Sequence, residues 1–253
     1  MRSPENSVPE DSNGDLRYIV ALIDHVRLGV LPHLNSRRDL PARHYAAASL
    51  ARCNRLLLAM IELRTAGFPD VVGILLRSIL ECWYLGMYFV LAPDEAYENT
   101  HAAHAFQLTR LDPALWGDTE RILNQMPVKP RQMKWKTISD RIADLLTERG
   151  YVAMKEMTDP LYKTLYQGES AMSVHGGAAL LMGHFDDVVP ARFGTHEIRL
   201  EPDDGAIRIH MSAPLVETLA RAVCVEFGVS HWEIDRLAVL IAASAPQVKP
   251  ESE

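Results

Sequence analysis

Arg77 and Glu81 are the most informative residues of the chain. They are the only charges between Val71 and Leu91, and they stand four apart. On a helix that spacing puts them on one face. An unpaired buried charge is expensive, so each must find a partner, and the nearest is the other. Two readings follow. The pair is a buried ion pair that fixes helix packing, or it is a polar site inside a helical bundle, where such pairs tune pKa values or hold a ligand. A second group lies in Tyr166-Gln-Gly-Glu-Ser-Ala-Met-Ser-Val-His-Gly-Gly. Tyr166 and Ser170 are at helical spacing, Ser173 adds a second hydroxyl, and His175 precedes Gly176 and Gly177. An imidazole titrates near neutral pH, so His175 could serve as acid or base. The plainer role for it is to cap a helix C-terminus, where a cation is favoured.

A third group is cationic. Lys129, Arg131, Lys134 and Lys136 fall within eight residues around Trp135, with no acid among them. Cations beside an aromatic ring suit single-stranded RNA, by phosphate attraction and base stacking. The same residues, after Pro127 and Pro130, also suit a solvated loop. Glu98, His101 and His104 are three apart, like part of a di-metal bundle site, but the chain has no second Glu-x-x-His to complete one. No metal and no cofactor is therefore expected. The G-x-x-x-x-G-K, G-x-G-x-x-G and H-E-x-x-H signatures do not occur.

The helix Gly73-Ile-Leu-Leu-Arg-Ser-Ile-Leu-Glu is followed about ninety residues later by Tyr162-x-x-Leu-Tyr and Ser170-x-x-Ser-Val-His-Gly. Over roughly Arg43 to Gly183 this arrangement resembles a large bacterial family of uncharacterised all-α proteins. That family is distantly similar to the HEPN domains, helical bundles of toxins and phage-defence proteins. Many of these are dimeric, metal-independent ribonucleases. The resemblance implies that Arg77 stabilises phosphate charge, that Glu81 orients it and that His175 is the acid-base group. Tyr166, Ser170, Ser173, Lys134, Trp135 and Lys136 would then contact the RNA. The chemistry suits the types, since a guanidinium forks onto phosphate oxygens and an imidazole can move the 2′-hydroxyl proton. The alternative is a non-enzymatic bundle that binds a ligand or a protein partner.

These groups must be held by helices. The chain has 253 residues, 48% hydrophobic and 23% charged, and a formal charge of -7. A chain of this length buries roughly 70–75% of its unfolded surface without metal or disulfide staples. The composition excludes a mostly disordered chain, and the acidic balance excludes a protein that coats nucleic acid through bulk charge. Apolar residues at helical spacing predict helices over 15–34, 41–66, 69–92, 94–110, 113–125, 137–149 and 160–182, punctuated by Pro41, Gly67, Pro69, Pro93 and Gly150. Residues 196–211 alternate polar and apolar about Pro-Asp-Asp-Gly, which predicts one β-hairpin, and Ser212 and Pro214 then open a long helix to Ala243. The expected architecture is a mainly α-helical bundle, HEPN-like, with one domain over 15–244 and disordered tails at 1–14 and 245–253.

Val71 to Leu91 is long and apolar enough to span a bilayer. Arg77 and Glu81 would each cost roughly 2.5–3.5 kcal/mol at its centre. The segment therefore reads as the central helix of a soluble, cytoplasmic bundle, with no membrane partner. Cys53, Cys82 and Cys224 form no C-x-x-C pair and read as separate buried thiols. Leu215, Leu219, Val223, Ile234, Leu237 and Ile241 make a long apolar face that one bundle need not cover, which predicts a homodimer.

Overall fold

The computed structural model describes residues 16–35, 41–68, 71–110, 119–125, 128–150, 158, 160–167 and 205–244. The chain is mainly helical, and no strand occurs among the described residues. Helix α1 (Leu16–His25) runs through a wide π-helical turn (Val26–Val30) into α2 (Leu31–Asn35). Pro32 has no N–H and crowds the preceding turn, and the wide turn lies just ahead of it. Helix α3 (Pro41–Thr65) stops where Gly67 turns left-handed (φ 85°), with the Phe68 N–H bonded to the Leu63 carbonyl at 2.8 Å. Helix α4 (Val72–Leu91) ends at Ala92, and Pro93 opens α5 (Pro93–Leu108), whose first turn carries Asp94 and Glu95. Then come α6 (Thr119–Gln125), α7 (Trp135–Glu148), a second π-helical turn (Leu161–Tyr166), α8 (Ala206–Phe227) and α9 (Trp232–Ser244).

Two expectations about the C-terminal region are corrected. Ala206-Ile-Arg-Ile-His-Met is not the second strand of a hairpin but the start of α8. A strand with one face inward would bury Ile207, Ile209 and Met211 together. Here Ile209 is buried while Ile207 is 51% exposed, because burial follows Ile209, Ala213, Val216 and Ala220 at helical spacing. The rest of the expected hairpin, 196–204, lies outside the described residues. Pro214 is consequently inside α8, not at its start. The expected single helix to Ala243 is also broken at Gly228 (φ 62°). The Val229 N–H caps the Cys224 carbonyl there at 2.8 Å. Across this turn Arg221, paired with Glu217 of its own helix at 2.7 Å, also pairs with Asp235 at 2.8 Å, and His231 Nδ1 lies 2.9 Å from Asp235, which fastens α9 to α8.

Helices α3, α4 and α8 pack mutually around the largest part of the core. Leu50, Leu57, Met60, Leu76, Leu80, Tyr84, Leu219 and Val223 are all fully buried. Helix α4 is the one described helix long and apolar enough to cross a membrane, and most of it is buried inside the protein. Leu215, Leu219, Val223, Ile234, Leu237 and Ile241 are all buried within the chain. They leave no open apolar face for a second copy to cover. Polar contacts also tie the helices together. Asn54 donates to the Ile23 carbonyl at 3.0 Å, the Trp83 indole donates to Thr218 Oγ1 at 3.0 Å, and Arg149 caps the last carbonyl of α4, Leu91, at 2.8 Å.

Gly86 lies where the three central helices meet. A Cβ there would come 2.7 and 2.8 Å from the Leu219 methyls and 3.1 Å from Ser49 Cβ. Gly86→Ala should therefore destabilise the protein by about 1–2 kcal/mol in urea unfolding, overpacking outweighing alanine's helix preference of about 1 kcal/mol. A second prediction concerns alkaline pH. Burial pushes the Tyr84 and Tyr88 phenols up to about 12. An unfolded phenol ionises near about 10, so between about pH 10 and 12 the unfolded chain releases protons that the folded chain keeps. The part of the stability owed to these phenols should be constant below about pH 10 and fall above it, and the urea midpoint should fall less steeply in Tyr84→Phe.

Candidate functional site

The helical rise places Arg77 one turn before Glu81 on the outer edge of α4. Arg77 Nε donates to Glu81 Oε1 at 3.2 Å. The pair is not sealed in the bundle, because the side chains keep 20% and 31% of their exposure. The second π-helical turn brings Tyr166 across both. Arg77 Nη2 donates to the Tyr166 hydroxyl at 3.3 Å, and that hydroxyl donates to Glu81 Oε1 at 3.3 Å. The guanidinium carbon also lies 5.1 Å from the centre of the Tyr166 ring. Burial pushes the Tyr166 phenol above its ordinary value, the Glu81 charge adds to this, and the hydrogen bond from Arg77 opposes it.

Aromatic rings continue the cluster outward. The Tyr162 ring stacks on Tyr166 with centres 5.4 Å apart and planes 15° apart. Trp135, first residue of α7, is tilted against Tyr166 at 6.3 Å. Lys136 Nζ lies 5.6 Å from the Tyr162 ring centre and pairs with Asp140. Helix α7 runs alongside α4 in the same direction, with Trp135 near the Arg77 end and Arg149 on Leu91.

Of the residues named from sequence, Arg77, Glu81 and Tyr166 meet at one point, with Trp135 and Lys136 beside them. Lys134 turns to an adjoining cleft. Ser170, Ser173 and His175 lie outside the described residues. His101 packs against the Tyr97 ring at 4.1 Å, with its Nε2 3.4 Å from the Tyr45 hydroxyl. Among the described residues no group of three potential metal ligands forms.

The adjoining cleft, about 740 Å³, is lined by Tyr88, Glu95, Glu98, Asn99, Arg131, Gln132, Met133, Lys134, Thr137, Ile138 and Arg141. Its wall is a continuous network. Arg141 grips Glu95 with Nε at 3.1 Å and Nη2 at 3.0 Å from Oε2. The Tyr88 hydroxyl donates to Glu95 Oε1 at 2.7 Å, Asn99 Nδ2 donates to that hydroxyl at 2.5 Å, and Arg131 donates to Asn99 Oδ1. The hydrogen bond from Arg141 holds the Glu95 carboxyl below its usual range, against the effect of partial burial. The sequence reading missed this cleft. Its only local signal was the cationic run 129–136, whose consecutive residues Lys134 and Trp135 face the cleft and Tyr166 respectively.

The fold and site thus define a mainly α-helical protein with a half-open guanidinium–carboxylate–phenol cluster beside a polar cleft. Set against protein-family models, curated proteins and solved structures, the chain matches none.

Tyr166→Phe removes the hydroxyl shared by Arg77 and Glu81. It should lower stability by about 1 kcal/mol, read from urea unfolding. In an Arg77→Met background the loss should shrink, because the phenol has lost its donor.

Proposed function

We propose that this protein binds single-stranded RNA across the Arg77–Glu81–Tyr166 cluster and cleaves its phosphodiester backbone without a metal, as a HEPN-like ribonuclease. The observation that carries the proposal is the joining of Arg77 and Glu81 to Tyr166 at a solvent-reaching edge, flanked by Tyr162, Trp135 and Lys136. Stacked rings accept bases regardless of sequence, and the cations hold the backbone between them. In this reading the phosphate takes up the outer face of the Arg77 guanidinium, which neutralises the charge that builds on its oxygens. Glu81 and Tyr166 hold the guanidinium in place. His175, nine residues beyond Tyr166 in sequence, takes the proton of the 2′-hydroxyl, whose oxygen attacks phosphorus. The bond to the 5′ oxygen breaks, and the imidazolium returns the proton to that oxygen. The products are a 2′,3′-cyclic phosphate and a 5′-hydroxyl. The same reading makes the protein a cytoplasmic homodimer acting as a toxin or antiviral effector.

A second reading is favoured by one observation. The Arg77 guanidinium is already shared between Glu81, the Tyr166 hydroxyl and the Tyr166 ring. A guanidinium so engaged suits a structural clamp in a bundle that binds a protein partner or small ligand and has no activity of its own.

The two separate on labelled single-stranded RNA. Wild type should bind it and yield products ending in cyclic phosphate. His175→Ala should keep binding and abolish cleavage with an unchanged thermal midpoint. Replacing Lys134 and Lys136 together by Ala should weaken binding uniformly across sequences and flatten its dependence on log salt by about 0.7 per lysine. Full cleavage by His175→Ala would overturn the catalytic assignment. No binding at low salt would leave the structural clamp as the reading.

A further inference from the structure

We infer that Cys53 and Cys82 form a peroxide-oxidisable dithiol between α3 and α4. This inference does not depend on the RNA reading. Sequence places the two residues twenty-nine apart with no motif joining them. The helix packing brings them to the same level. Helices α3 and α4 are antiparallel neighbours: the Tyr45 ring stacks on Phe89 with centres 4.9 Å apart, and a Cβ at Gly86 would lie 3.1 Å from Ser49 Cβ. One turn on from Ser49 along α3 is Cys53, and one turn back from Gly86 along α4 is Cys82. The step starts from Gly86, where a Cβ would press on Ser49. Close helix backbones are what a disulfide needs, since it spans only about 4.4–6.8 Å between Cα atoms. The Cys53 thiol donates to the Ile79 carbonyl at 3.6 Å, one turn before Cys82 on α4.

The two thiols differ in the way an attacking and a resolving cysteine differ. Cys82 is part-exposed and Cys53 is fully buried. The hydrogen bond from Cys53 lowers the Cys82 thiol below its usual value. Arg52 adds to this, against burial and the Glu81 charge. Burial holds the Cys53 thiol far above its usual value. Arg52 also lines a groove of about 410 Å³ with Ala48, Ala51, Arg55, Leu56 and Ala59, so the residue beside Cys82 is reached from solvent. Cys224 is fully buried, its thiol pushed up to about 11 by burial.

The oxidant is a small hydroperoxide. The Cys82 thiolate attacks one peroxide oxygen, the O–O bond breaks, and the departing hydroxide takes a proton as water. Cys82 is now a sulfenic acid and the peroxide is reduced. Cys53 sulfur then attacks the Cys82 sulfur, the S–O bond breaks, and hydroxide leaves with the Cys53 proton as a second water. The two thiols are oxidised to one disulfide by one peroxide.

The test treats the reduced full chain with hydrogen peroxide, then denatures and alkylates it for mass spectrometry. Two of the three thiols should be lost, with a linked peptide pair containing Cys53 and Cys82 and with Cys224 fully alkylated. Cys53→Ala should stop at the sulfenic acid and give a dimedone adduct on Cys82. Cys82→Ser should give neither product. Three alkylatable thiols in wild type, at a dose that oxidises free glutathione, would overturn the inference. So would a link to Cys224, or Cys82 passing to sulfinic acid as readily in wild type as in Cys53→Ala.

Discussion

The missing side chain at Gly86 sets the distance on which the central packing depends. Leu219 of α8 and Ser49 of α3 both close onto the space a Cβ would occupy. Interiors pack at near-crystalline density, so filling that space would push the Leu219 methyls aside and press on Ser49. The consequences run along α4 in both directions. Toward its C-terminus Tyr45 can stack on Phe89, and toward its N-terminus Cys53 and Cys82 come level. Leu50, Leu57, Leu76 and Leu80 are fully buried in the same core.

Helix α4 must also carry charge at one end and polar hydroxyls at the other. Its Arg77 and Glu81 sit on the outer edge, where water still reaches them, so neither bears the full cost of burial. Tyr166 covers their inner side and satisfies both. Three turns on, the Tyr88 hydroxyl reaches Glu95, which Arg141 of α7 grips with two nitrogens. Helix α7 is thus tied to α4 and α5 along its length, from Trp135 against Tyr166 to Arg149 on the end of α4. The cluster and the cleft adjoin at Lys134, which lines the cleft, and Trp135, which packs on Tyr166.

That arrangement bears on both functional readings. A cluster whose partners all lie on neighbouring helices is rigid, which suits a site that must be preorganised. Tyr162 and Trp135, both partly buried, pack against Tyr166 beside the part-exposed Arg77. A clamp that merely joins helices would need the ion pair and Tyr166, but not the adjoining lysines.

The amino-acid sequence by itself determined the helices that punctuation and period 3.6 mark. Pro41, Gly67, Pro93 and Gly150 act within a turn of themselves, and the structure ends or opens elements there. Arg77 and Glu81 were legible as a pair for the same reason, being one turn apart. Six alternating residues at 206–211 were not enough, because a run that short fits either period and packing of Ile209 decided it. Gly228, inside a long apolar pattern, hid a helix end. Only the tertiary structure decided that Tyr166 meets Arg77 across eighty-nine residues, that Arg141 meets Glu95, and that Cys53 reaches the Ile79 carbonyl on α4. Local hydrogen bonding and hydrophobic period are written in neighbouring residues. The lateral register of one helix on another is set by how their side chains interlock, as Gly86 with Leu219 and Ser49, and no single segment carries that information.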